Sequence, residues 1–281
     1  MPPISGDRTP GATPSRSAVV FILSCSRELN NLAAFLGRLR VATLADPVPI
    51  RLTDERKFFA AMALIMAAAT FVGFAPTYYL APAFGAQPIS TLLHVHGVVF
   101  TLWMLLYLVQ TGLISARRAD LHRLVGPAGL TLAMVMVPLG VATAIVTKQV
   151  AAANHLPPPG PPLIFPIGAI LTFGVLVGAG IAMRKRSAWH KRLMLLGTAA
   201  VVTTPLARLT KYAHIGLMPA YGGMILSDLL LVGLAAYDIK TKGRLHPATL
   251  WGGSFFLATQ VLRIALNMTP AWQAFAKGLT G

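Results

Sequence analysis

Seven histidines stand in 281 residues, and three of them occupy the same kind of turn. The turns read Arg118-Ala-Asp-Leu-His122, Arg186-Ser-Ala-Trp-His190 and Lys242-Gly-Arg-Leu-His246. Each has a base, two variable residues, Leu or Trp, then His at the mouth of an apolar block. A helix start presents the positive end of the backbone dipole, which favours the neutral imidazole. Neutral imidazole is the form that ligates a metal or a haem iron. Taken singly, each of the three reads as a capping residue or a contact with lipid headgroups. Three at one depth point to a shared site. Asp120 and Ser187, just ahead of two of the histidines, are expected N-caps.

A second set lies in the opposite half of the blocks. His94 and His96 are two apart, so on a helix they point to nearly opposite sides. Arg208 and Arg263 each lie 16 residues beyond a basic turn, roughly 24 Å along a helix. Asp228, 10 residues from Asp238, falls roughly 15 Å along, near mid-membrane. Ionisable groups at such depth are costly and face a bundle interior, so Asp228 is expected to be a buried polar residue paired with Arg263 or Arg208. The surplus positive charge beside the histidines suits an anionic group such as a haem propionate, a lipid phosphate or a carboxylate.

These residues need elements to carry them, and composition says which. The chain is 55% hydrophobic and 11% charged, against about 25% charged in a soluble domain. Seven apolar blocks follow one another, approximately 58–75, 90–115, 124–147, 163–183, 193–212, 219–238 and 247–267. Each is near the ~20 residues that cross a bilayer core as a helix. The expected fold is an all-α integral membrane bundle of seven transmembrane helices, one leading helix plus three helical hairpins. The net charge of +16 does not point to nucleic acid, because the bases lie in short loops. Basic loops alternate with "PTYYLAPAFGAQPIS" and "NHLPPPGPP", which carry almost no charge. The positive-inside rule places the N-terminus in the cytoplasm and the C-terminus outside the inner membrane. Residues 1–50 form a separate N-terminal extension ahead of a membrane domain at 51–281. Its opening has a disordered composition, and residues 27–44 suit an interfacial amphipathic helix or an over-extended gene start. The lone Cys25 leaves no intrachain disulfide and no cysteine-based metal site.

Other polar and small residues read as structural. Gln110 and Gln260 suit interhelical hydrogen bonds, and Gly174 and Gly178 suit close helix packing. Phe100, Trp103 and Phe173 read as packing, and His155 as incidental. No phosphate-binding loop, dinucleotide fingerprint or nucleophile elbow is present.

The segments "GFAPTYYLAP", "HVHG", "LHRLVGPAG", "HKRLMLL" and "HPATLWGG", in this order, resemble a family of uncharacterised multi-pass bacterial inner-membrane proteins. The resemblance covers about residues 57–281. It implies shared positions at His94, His96, His122, His190 and His246 and no particular activity. At the level of pattern alone, histidines at the ends of a small bundle are similar to cytochromes of the b561 kind and to membrane factors that assist haem–copper oxidase assembly.

Three functions follow as expectations. The first is a haem-b membrane protein that moves electrons or handles haem, with a membrane redox partner. His122, His190 and His246 would supply an inner ligand set, His94, His96 and His214 an outer one, and Arg208 and Arg263 would hold propionates. The second is an intramembrane metal enzyme acting on lipids, with His94 or His96 and Asp228 as ligands. Its weakness is that ligands two apart suit one metal poorly. The third is a non-catalytic transporter or lipid-binding scaffold built around Asp228 and the arginines.

Overall fold

The computed structural model describes residues 53–86, 88–214 and 219–280, and among them every regular element is helical. The N-terminal extension at 1–50 lies outside the described residues. Helix α1 is Asp54–Phe74, continued by a π turn at Ala75–Tyr79 and a 3₁₀ turn at Ala81–Phe84. Then come α2 (Thr91–Ser115), α3 (Ala119–Ala153), α4 (Ile164–Ala182), α5 (Ser187–Tyr212), α6 (Pro219–Lys242), α7 (Pro247–Asn267) and α8 (Pro270–Thr280). Six of these, α1 with its π turn through α6, are long and apolar enough to cross a membrane. The seventh block also forms a helix, but Gly252, Gly253, Ser254, Gln260 and Arg263 dilute its hydropathy. The turns carrying the basic residues gather at one end of the bundle, here the basic end. The loops after α1, α3 and α5 lie at the far end.

Helix α5 is the axis. It packs against α1, α4, α6 and α7, and more of it is buried than of any other spanning-length helix. Its buried face is rich in small residues: Gly197, Thr198, Ala199, Ala200 and Thr203. Small side chains let neighbouring backbones approach, which drives helix packing where apolar burial cannot. Gly223 on α6 shows how close: a Cβ there would stand 2.4 Å from the Thr203 carbonyl oxygen on α5. This contact alters the expected hairpin scheme. α2 pairs with α3 and α4 with α5, but α6 lies mainly along α5, and α7 divides its contacts among α4, α5 and α6. Gly174 touches Val137 on α3, whereas Gly178 faces open space.

Helix α3 runs 35 residues, about 52 Å, well beyond the 124–147 block. Its far end holds α8, an amphipathic helix absent from the sequence reading. Gln149 Nε2 donates to the Leu279 carbonyl at 2.8 Å, and Trp272 packs with Phe165 and Met224. Three helices end on a non-glycine residue with positive φ: Arg117 (60°), His155 (53°) and His214 (51°). His155 and His214 are therefore left-handed helix stops. That is a structural role for His155, and it sets His214 apart from the expected outer ligand set.

Candidate functional site

The site grows from three consecutive residues on α5. Successive helical side chains are rotated by about 100°, so His190, Lys191 and Arg192 point in three directions. Each direction meets a different neighbour. Arg192 donates Nε to Asp238 Oδ1 and Oδ2 on α6 at 3.1 and 3.3 Å. Its Nη2 also donates to Oδ1, and its Nη1 donates to the Ala188 carbonyl at 2.9 Å. Asp238 further accepts from Thr249 Oγ1 on α7 and from the His246 N–H at 3.2 Å. Both charged side chains are 0% exposed. Lys191 pairs with Glu55 on α1 and lies over the Phe59 ring at 5.3 Å. His190 turns toward α4, where its Nδ1–H donates to the Gly180 carbonyl at 2.8 Å.

The other edge of His190 meets His122, near the start of α3. The ring centroids are 6.1 Å apart, with planes at 80°. Both imidazoles are half-buried. Gln110 on α2 reaches His122: its amide fits with Nε2 donating to His122 Nδ1 at 2.6 Å and Oε1 accepting from the Gly126 N–H at 3.2 Å. Gln110 is thus an interhelical hydrogen bond, as expected, but its partner is a candidate site residue.

His246 does not complete a triad. It is the N-cap of α7, its Nδ1 accepting the Ala248 N–H at 3.0 Å. A neutral imidazole accepting at Nδ1 carries its proton on Nε2, so the capping ring has no free lone pair to offer a ligand. Its ring packs on Trp189 at 5.8 Å. Burial first, then the charges of Arg192 and Lys242, hold its pKa below the ordinary value. Asp120 and Ser187 are not the N-caps: each stands inside its first turn, after Arg118 and Arg186. Asp120 pairs instead with Arg118 at 3.2 Å.

At the far end the candidates disperse. His94 is exposed, with its carbonyl accepting from Tyr78 Oη at 3.4 Å. His96 turns the other way, stacks on Phe100 at 4.0 Å and leaves Nδ1 buried without a partner. The opposed directions follow from their spacing. Arg208 donates to Thr77 Oγ1 at 2.9 Å and sits over the Phe74 ring at 4.5 Å. Arg263, 3% exposed, donates to the Thr259 and Phe165 carbonyls at 3.1 and 3.3 Å. Its stem fills a notch at Gly168, where a Cβ would come within 2.2 Å of Cδ. Asp228 accepts from Gln260 Nε2 at 2.8 Å instead of pairing directly with either arginine. The expected direct ion pair is therefore corrected: Arg208 bonds to α1 and Arg263 to α4, and Arg263 acts on the half-buried Asp228 carboxylate only at a distance. The deepest ion pair is Arg192–Asp238, which the sequence reading passed over. Its signal was a lone acid at the end of an apolar block, just ahead of the three bases Lys240, Lys242 and Arg244.

Trp103 and Phe173 form an edge-to-face core contact at 4.8 Å, as packing residues should. Among the described residues no group of three His, Cys, Asp or Glu side chains comes together to hold a metal ion. No family model, no curated protein and no solved structure matches the chain.

Proposed function

We propose that the protein is a haem-b protein of the bacterial inner membrane, with His122 and His190 as the axial pair. It crosses the membrane seven times, α7 being the last span, with the basic end in the cytoplasm. The observation that carries this reading is the facing of the two imidazoles at 6.1 Å between centroids. Two metal–nitrogen bonds of about 2.0 Å each take up about 4 Å of that gap, and the ring radii take up the rest. The donor set fits as well. An imidazole that ligates through one nitrogen commonly donates its other N–H to a carbonyl, and His190 does so to Gly180. A haem held there supplies one-electron chemistry, and the reading accordingly includes a membrane redox partner. Arg123 and Lys185 lie beside the pair in the basic turns and would supply cations for propionates. The lipid-enzyme reading needs a third ligand, and no group of three metal-holding side chains forms among the described residues. The scaffold reading draws on Asp228, whose polar contact is satisfied within the bundle by Gln260.

The test is the visible spectrum of protein purified from haem-supplied cells. Wild type should show a Soret band. His190→Ala and His122→Ala should lose it or lose most of its intensity, while His246→Ala and His155→Ala should retain it. A colourless wild type that also fails to shift the spectrum of added haemin contradicts the proposal.

A further inference from the structure

We infer that Gln110 is a positioning residue for the His122–His190 pair, an inference that rests on the haem reading above: its amide decides which nitrogen of His122 carries the proton. The side chain crosses from α2 to the first turns of α3. The His122 carbonyl on one side and the Gly126 N–H on the other favour the amide orientation in which Nε2 donates to His122 Nδ1 at 2.6 Å and to that carbonyl at 3.2 Å, and Oε1 accepts from the Gly126 N–H at 3.2 Å. A neutral imidazole that accepts at Nδ1 holds its proton on Nε2. His190 is set the opposite way. A carbonyl can only accept, so the contact with Gly180 puts the His190 proton on Nδ1 and leaves Nε2 bare.

With the centroids 6.1 Å apart, His190 thus offers a bare Nε2 while the Nε2 of His122 carries a proton. His190 is ready to ligate as it stands. His122 becomes ready when the Gln110 amide turns over, so that Oε1 accepts from Nδ1–H and Nε2 is freed. Carbonyl and amino ends of a glutamine are nearly equal in size, so the turn moves few atoms, and its cost is a donor facing the Gly126 N–H and an acceptor facing the His122 carbonyl. Gln110 thereby couples the state of His122 to occupation of the site.

Two substitutions separate this role from simple packing. A carboxylate only accepts, so Gln110→Glu fixes the proton on His122 Nδ1. Gln110→Met keeps the length and offers neither donor nor strong acceptor. The full chain, labelled with ¹⁵N-histidine in detergent without haem, reports the tautomer directly. His122, assigned by its loss in His122→Ala, should be the Nε2–H tautomer in wild type and the Nδ1–H tautomer in Gln110→Glu. Gln110→Met should give a mixture and, with haem, an affinity lower by about tenfold. Gln110→Glu should also shift the haem reduction potential to more negative values, because a carboxylate partner makes the ligand more basic. Circular dichroism checks the fold, and if Gln110→Glu fails to fold, the Gln110→Met tautomer decides alone. An Nδ1–H wild-type tautomer, or a tautomer unchanged in the folded variants, overturns the role of Gln110. Failure of wild type to bind haem strikes the function while leaving the tautomer result standing, so the two failures are distinguishable.

Discussion

A carboxylate removed from water persists only when donors fill its lone pairs, and Asp238 has four. Two come from Arg192, one from Thr249 and one from the His246 backbone. Removing one member of such a pair leaves the other charged and buried, at a cost of roughly 3–5 kcal/mol. Asp238→Asn should therefore lower the melting temperature in detergent sharply, and Arg192→Met with Asp238→Leu should recover part of the loss. A single mutant that melts with wild type would show that the pair is idle. His246 adds a pH dependence. Its folded pKa lies below its unfolded value, so the unfolded chain takes up the proton first on acidification. The contribution is complete above the unfolded value of about 6.5 and is lost as the pH falls through the folded value. Melting temperature should decline between pH 7.5 and 5.5, and less so in His246→Asn, which caps without titrating. An equal decline in both would remove His246 as the cause. At this scale the sequence was partly legible. The repeated turn pointed to His122 and His190, whose ring centroids lie 6.1 Å apart. It could not show that His246 spends Nδ1 on its own helix, because cap geometry depends on where the backbone enters the turn. Asp238 was hidden because the orientation rule counts bases and passes over a single acid.

Helices were the most legible feature, since a chain in lipid has few other ways to satisfy its backbone. Packing order was less so. Hydropathy does not single out α5, yet it is the central element, because small residues and not apolar bulk decide which helices come close. The same logic applies to α8, a short amphipathic segment with too few apolar residues to register as a block. Helix ends provide a local check. Gly243 closes α6 with φ 68° and no side chain in the way. Gly243→Ala should cost about 1 kcal/mol, the penalty of a Cβ in left-handed backbone, measured as a loss of thermal stability. His155→Gly should gain a comparable amount for the same reason. Stability unchanged in both variants would mean that these turns relax freely. The triplet His190-Lys191-Arg192 ties this scale to the previous one, because three adjacent side chains on one helix reach α3 and α4, α1, and α6 with α7.

For the molecule as a whole, the alternation of basic and neutral loops is the feature from which orientation was read. The gathering of Arg192, Lys191, His190, His122 and His246 at one end of the bundle accords with it. Alkaline phosphatase, active only outside the cytoplasm, should work when fused after Gln87 or Pro159. It should fail after Arg118, Arg186 or Lys242. Activity from the Arg186 fusion would invert or break the proposed topology. Charge also limits where chemistry can sit. In the far half the two deep arginines turn to separate helices, Arg208 toward α1 and Arg263 toward α4, and no metal-holding cluster forms among the described residues. The basic end brings two imidazoles together, edge to face.

The most direct test of that pairing reads the axial ligands themselves. Near-infrared magnetic circular dichroism of the oxidised, haem-loaded protein distinguishes two imidazoles from any other ligand pair. Wild type should give a low-spin bis-imidazole signature, and both His122→Ala and His190→Ala should lose it. A signature of one imidazole with a different second ligand in wild type, or an unchanged bis-imidazole signature in His122→Ala, would contradict the assignment of this pair as the centre of the protein.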